Sequence, residues 1–196
     1  MIVELVGAPG AGKTHLLPTL VVRCGVKPIK VGRLGQRTFY FAIFTMTHWR
    51  LTKTVRREFR RQLRAHPELA SVRKWRRFVS MGAKTAKAHL LGRGIIDEGI
   101  FQALLKIFED PATLEQLEQY LGMIGTPPDR VYIIDARDDV RYERMAKRQL
   151  FPRRYLGEDQ WQHWHKSFVD NFATLKPILV ARYNGEIIDN NGPPSA

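Results

Sequence analysis

The sequence predicts an α/β protein: a five-stranded parallel sheet with helices on both faces. Short β-branched, apolar runs alternate with longer stretches of helical period, the pattern of parallel strands joined by crossover helices. The first apolar run leads directly into a glycine-rich turn and a helix. At 196 residues, 44% hydrophobic and 10% aromatic, the chain can bury one good core, so residues 1–196 are expected to form a single domain.

The elements follow in order. "IVELV" is the first strand, "GAPGAGKT" the turn and "HLLPTLVVRC" the helix, which Pro18 should kink or make irregular because proline lacks an N–H and crowds the preceding turn. "VKPIKV", 26–31, is the second strand. The stretch from 36 to 91 is mostly helical, with a break near "HP" at 66–67 and a second candidate break at Gly82. "RGIID" is the third strand, "EGIFQALLKIFED" a helix ending before Pro111, and "ATLEQLEQYLGMI" another helix. "PPDRVYIIDA" is the fourth strand, "RDDVRYERMAKRQ" an arginine-rich helix, "GEDQWQHWHKSFVDNFATLKPILVARY" a long helix and "GEIIDN" the fifth strand.

Composition excludes several classes. The single cysteine, Cys24, rules out an internal disulfide and a cysteine-based zinc site, and fits a small buried residue in a reducing compartment. "MIVELVG" lacks the basic flank and length of a signal peptide, and no apolar run is long enough to cross a bilayer, so a cytoplasmic protein is expected. The net charge of +13 is concentrated: between Arg50 and Arg93, 14 Lys or Arg stand against Glu58 and Glu68. Residues 5–57 carry no Asp or Glu at all.

Gly7 to Thr14 matches G-x-x-x-x-G-K-[ST] between a strand and a helix, where the mechanism of a phosphate-binding loop requires it. Glycines let backbone N–H groups curl around a β-phosphate, and the helix N-terminus adds its positive end. Lys13 should reach the β- and γ-phosphates of ATP, and the Thr14 hydroxyl should ligate Mg²⁺. Gly7, Gly10, Ala11, Gly12 and His15 complete the nucleotide-binding set. A neighbouring strand that ends in a carboxylate places it at the same sheet edge. Asp97 is that carboxylate, able to organise Mg²⁺ or accept a proton, or simply to cap the next helix. Glu98, one residue on, should point elsewhere unless the turn bends sharply.

"GAPGAGKT", "IIDEG", "PPDRVYIIDARDDVRYERMAKR" and the basic segment after it together resemble the thymidylate kinase and deoxynucleoside kinase group of P-loop kinases, over about half the chain. A looser set of small P-loop kinase-like proteins has D-x-G-x-x-Q after the third strand, here Asp97, Gly99 and Gln102. The resemblance implies an arginine-bearing lid at about 149–157 and assigns Arg144 and Arg148, four apart on one helix face, to nucleotide or phosphate contacts. Arg153 and Arg154 become lid residues, and Asn190 with Asn191 fall where the adenine loop lies. Two departures matter. The group's glutamate after the second strand has no counterpart, and Glu98 stands where an arginine should follow the carboxylate, which disfavours a plain nucleoside kinase. A nucleoside monophosphate needs no general base but usually needs that arginine; a hydroxyl acceptor leaves Asp97 or Glu98 as the base.

In "RLTKTVRREFRRQLR", Leu51, Val55, Phe59 and Leu63 form a stripe to be packed, while Arg50, Lys53, Arg56, Arg57, Arg60, Arg61 and Arg64 form a separate cationic arc. The arc suits nucleic acid or another polyanion, peripheral contact with an anionic membrane, or water alone. Arg37, Arg57, Arg60, Arg61, Gln102, Arg153 and Arg154 form the expected acceptor-binding set. His163 and His165 flank Trp164 and diverge on a helix, so they are expected to be structural. The expected activity is transfer of the ATP γ-phosphate, with catalytic residues Lys13, Asp97, Glu98, Arg144 and Arg148, to an anionic acceptor. A hydroxyl on nucleic acid, such as a hydroxymethyl pyrimidine in DNA, stands first, then a small nucleotide, then a polysaccharide sugar. An ATP-switched polyanion-binding module is the reading from another class.

Overall fold

In the computed structural model, which describes residues 1–65, 71–149 and 157–192, β1 (Ile2–Gly7) is the interior strand beside the phosphate loop. β2 (Gly94–Ile96) pairs on one side of it and β3 (Arg130–Asp135) on the other, with β4 (Gly185–Asp189) beyond β3. All three pairings are parallel. The sheet therefore has four strands, one fewer than the sequence suggests. The run 26–31 supplies only an isolated parallel bridge of Pro28 to Ile95, with Ile29 N donating to the Ile95 carbonyl at 2.8 Å and Ile95 N to the Lys27 carbonyl at 3.0 Å. Pro28 has no N–H to present outward, which suits a sheet edge, and the chain bends at Arg33 into the next helix before a ladder forms.

Strand alternation decides which side chains meet which helices. Val3 and Leu5 of β1 and Tyr132 and Ile134 of β3 face α1 (Lys13–Cys24), packing with Leu16, Leu17, Leu20 and Val21. Val6, Val131 and Ile133 face the opposite, larger core, which contains Phe44, Phe101, Trp164 and Phe168. By the same parity Glu4 points toward that larger side. α1 runs unbroken through Pro18; the N–H that proline lacks would have met the carbonyl of Thr14, an exposed residue.

The basic region folds as α2 (Leu34–Thr47), α3 (Trp49–Ala65) and α4 (Ser71–Leu91). His66 and Pro67 lie outside the described residues. α4 passes straight through Gly82, where a Cβ would stand 2.8 Å from the Phe44 ring, so the missing side chain is what lets α2 settle on α4. On α3, Leu51, Val55 and Phe59 are buried as their spacing predicts, whereas Leu63 is 44% exposed because the core ends a turn earlier. The arginines of the cationic arc are exposed.

α5 (Ile100–Ile107) follows β2 and is buried along almost its whole length. α6 (Leu114–Leu121) opens with a reciprocal capping box between Thr113 and Gln116. α7 (Asp138–Lys147) follows β3, and α8 (Glu158–Arg182) closes the larger side before β4. No described helix is long and apolar enough to cross a membrane.

Candidate active site

β1 ends at Gly7, and the chain turns back on itself through an Ala11 N–H to Ala8 carbonyl bond of 3.1 Å. Gly10 and Gly12 have φ of +80° and +95°, which only glycine adopts cheaply. Neighbours would also forbid a side chain there: a Cβ on Gly10 would lie 2.5 Å from the Arg141 carbonyl, and one on Gly12 would overlap the Asn190 amide. α1 begins at Lys13, so the first amides of the helix, which lack intrahelical acceptors, face the loop. Lys13 Nζ donates to the carbonyls of Gly7 at 2.6 Å and Ala8 at 3.3 Å. Burial lowers its pKa to about 8, with help from the Lys106 charge and against the pull of Glu98 and Asp97.

The end of β2 separates the two adjacent carboxylates. Asp97 accepts from Lys84 Nζ of α4 at 2.5 Å and from the Glu98 N–H at 3.0 Å. Glu98, expected to point elsewhere, instead lines the cavity beside the phosphate loop and accepts from Lys106 Nζ at 2.7 Å. The turn through Gly99 accounts for this. A Cβ there would stand 2.5 Å from a Glu4 carboxylate oxygen, so glycine alone permits the bend that swings Glu98 inward. Burial would raise the Glu98 pKa, but Lys106, Lys13 and Lys84 together hold it below the usual carboxylate value.

Beneath that turn lies Glu4, fully buried on β1, whose two oxygens accept from Ile100 N at 3.0 Å and Gln102 N at 2.9 Å in the first turn of α5. Burial pushes its pKa up to about 8 against those backbone donors. Gln102, expected among the acceptor contacts, is 1% exposed and uses its side-chain oxygen to accept the Gly7 N–H at 2.9 Å. It ties α5 to the phosphate loop.

The opposite wall comes from α7 and the end of β4. Arg144 is buried and donates to the carbonyls of Gly192 at 2.7 Å and Ala11 at 3.5 Å. Asn190, expected in an adenine loop, spends its amide on the Ala11 carbonyl at 2.7 Å. Arg148 lines the cavity at the end of α7.

These residues surround one open cavity of about 480 Å³ that also meets Arg77 of α4, Met145 of α7 and Trp164 of α8. Thr14 is exposed at its mouth. Arg37, Arg57, Arg60 and Arg61 do not line it, and Arg61 is held by both oxygens of Glu58 at 3.0 and 2.7 Å. His15 is an exposed residue of the first turn of α1. Arg153 and Arg154 lie outside the described residues. His163 meets Asp110 at 3.0 Å and His165 stacks on Trp161. Among the described residues no three His, Cys, Asp or Glu side chains converge as a metal site.

Sequence reasoning missed Glu4, Arg77, Lys106 and Trp164. A signal existed for Lys106: Glu98, Gln102 and Lys106 recur every four residues, on one face of α5 and its approach. Another existed for Glu4, an isolated acid inside an apolar strand.

The architecture matches a solved deoxyadenosine kinase from M. mycoides, with products dCMP and a flexible dCDP bound, at a TM-score of 0.50 and 15% identity. The match covers 96% of this chain and 90% of that one. The chain has the fold of a P-loop deoxynucleoside kinase. A second structure of the same enzyme, with bound dATP, aligns over 96% of this chain and 91% of that one at 13% identity and a TM-score of 0.49. No family model and no curated protein matches the sequence. In this chain both acids after β2 are engaged by lysines.

Proposed function

We propose that the protein is a phosphotransferase that moves the γ-phosphoryl group of ATP to a small acceptor bound in the same cavity. The observation that carries this reading is the continuity of the cavity: Lys13 and Thr14 line it at the phosphate loop, while Glu98, Gln102, Lys106 and Trp164 line it beyond. A nucleotide-switched binding module has no need of cavity space that extends beyond the phosphate loop. The neighbouring solved enzyme, whose structure holds the products dCMP and dCDP, supports a nucleotide as the donor.

The loop suits a triphosphate. Gly10 and Gly12 let its backbone close tightly against the Arg141 carbonyl and the Asn190 amide in the curled form that presents N–H groups to phosphate, and the Lys13 ammonium donates to two carbonyls that a phosphate can replace. Thr14, together with phosphate oxygens, would hold Mg²⁺, which neutralises phosphate charge. Asp97 lies close enough to act on the Lys13 charge, and any contact with that ion would run through water and compete with Lys84. In the transfer, Lys13, Arg144 and Arg148 would stabilise the charge that spreads over the phosphoryl oxygens, and Gln102 would keep the loop from shifting.

The test is incubation with γ-labelled ATP and a panel of deoxynucleosides, nucleotides, sugars and oligonucleotides. Transfer that disappears in Lys13→Ala supports the reading; ATP hydrolysis with no labelled acceptor from the panel counts against it. A hydroxyl on nucleic acid is the second reading, favoured by the exposed arginines of α3. Label on oligonucleotide and none on nucleotide would select it.

A further inference from the structure

The cavity carries more positive charge than ATP requires. Lys13, Arg77, Lys106, Arg144 and Arg148 line it against Glu98, an excess of four positive charges. A Mg-bound triphosphate offsets roughly two of these. Two of these charges, Arg77 of α4 and Lys106 of α5, belong to neither the phosphate loop nor α7. Among the described residues Arg77 has no ion-pair partner, and Lys106 has Glu98 alone at 2.7 Å. Burial lowers the Lys106 pKa, Glu98 opposes that fall, and the Arg77 and Lys84 charges add to it.

Neither carboxylate is free to serve as a base. Asp97 is paired with Lys84 at 2.5 Å and Glu98 with Lys106. An acceptor whose attacking oxygen is already ionised needs no base. Beside these cations lies a separate crevice of only about 20 Å³, lined by Phe59, Lys74, Phe78, Met81 and Trp164, which is too small for a nucleobase, so an acceptor body belongs in the 480 Å³ cavity itself. That cavity sets the apolar side chains of Met145 and Trp164 beside Arg77 and Lys106, an apolar wall next to an anion-seeking one.

We propose that Arg77 and Lys106 form an acceptor subsite for a phosphomonoester, the chemistry of a nucleoside 5′-monophosphate, with Glu98 as the counter-ion that holds Lys106 in place when the subsite is empty. The inference rests on the kinase reading above and names its acceptor class. In the reaction, the bond from the γ-phosphorus to the β,γ-bridging oxygen breaks, and an oxygen of the acceptor phosphate bonds to that phosphorus. The products are ADP and an acceptor diphosphate, with no proton to remove. This arrangement replaces the arginine that Glu98 displaces from the sequence: the cation comes from two other helices.

The experiment is calorimetric titration of the full chain, without ATP, with the four common deoxynucleosides and their 5′-monophosphates. At least one monophosphate should bind about tenfold or more tighter than its nucleoside, the effect of one to two charge-assisted contacts. Arg77→Gln, on an exposed side chain, and Lys106→Gln should each shrink that gap several-fold while leaving nucleoside binding alone. Equal binding of the two forms, an unchanged gap in both variants, or no binding by any of the eight overturns the subsite. A parallel titration with a fluorescent ATP analogue, repeated on Lys13→Ala, tests the kinase reading separately. ATP binding that depends on Lys13, alongside equal nucleoside and monophosphate binding, would remove the subsite and leave the kinase standing.

Discussion

Gln102 accepts the backbone N–H of Gly7 on its side-chain oxygen at 2.9 Å, across 95 residues of sequence. The first residue of the phosphate loop is therefore held by the first turn of α5. Gln102→Ala leaves a buried N–H without its acceptor, which should cost about 1–3 kcal/mol of stability. ATP should also bind more weakly, because the loop loses its fixed start. Urea denaturation and an ATP titration of the same variant check both effects; unchanged ATP affinity would mean that the loop holds its shape without this bond.

Glu4 makes stability depend on pH. Its folded pKa is raised to about 8 by burial, against an ordinary value of 4.5, so the native state holds a proton that the unfolded chain has released between those values. Stability contributed by this group is present in acid and lost as pH rises toward and through about 8. Glu4→Gln should flatten that decline. Thermal melts of both proteins across the same pH range give the comparison, and parallel curves would assign the decline to other groups.

Lys13 predicts proton uptake on nucleotide binding. In the free protein its pKa lies at about 8, lowered first by burial, and phosphate oxygens favour the charged form. Near pH 8, ATP should bring about half a proton onto the protein. Calorimetry in two buffers of different ionisation enthalpy measures this directly. Lys13→Ala should lose both the uptake and phosphoryl transfer; uptake that persists would place the titrating group elsewhere.

The cationic arc of α3 gives a test of the polyanion reading. Arg57 and Arg60 are exposed, whereas Arg61 is engaged by Glu58. If the arc follows a phosphate backbone, changing Arg57 and Arg60 to Gln should flatten the slope of log K against log salt by about two. Fluorescence anisotropy with oligonucleotides, and with anionic vesicles and heparin as controls, distinguishes the partners. Loss of all binding at physiological salt would identify the arc as a solvated face. Glu58→Gln is a companion: releasing Arg61 should steepen the slope by about one if the arc is a true track.

Local chemistry made much of the molecule legible. The strand, loop and helix around Gly7 to Thr14 could be read because glycines, lysine and threonine at fixed spacing leave a short signature, and the flanking apolar run has a clear period. The alternation of strands and helices, and the split of α3 into Leu51, Val55, Phe59 and a cationic arc, follow from periodicity alone. Leu63 broke that rule because the core stops where the tertiary structure does. The second strand shrank to one bridge for a similar reason: an apolar run says that a segment can pair, while the chain's route to α2 decides for how long. The site depended most on contacts between distant residues. Which of Asp97 and Glu98 turns inward was decided by Gly99 passing over Glu4, and neighbouring residues in sequence carry no record of that packing. Gln102 and Asn190 were legible as polar residues near the site, yet their partners, Gly7 and Ala11, are reached only when α5 and β4 close around the loop. Arg77 and Lys106 meet for the same reason, from two helices that converge on one cavity.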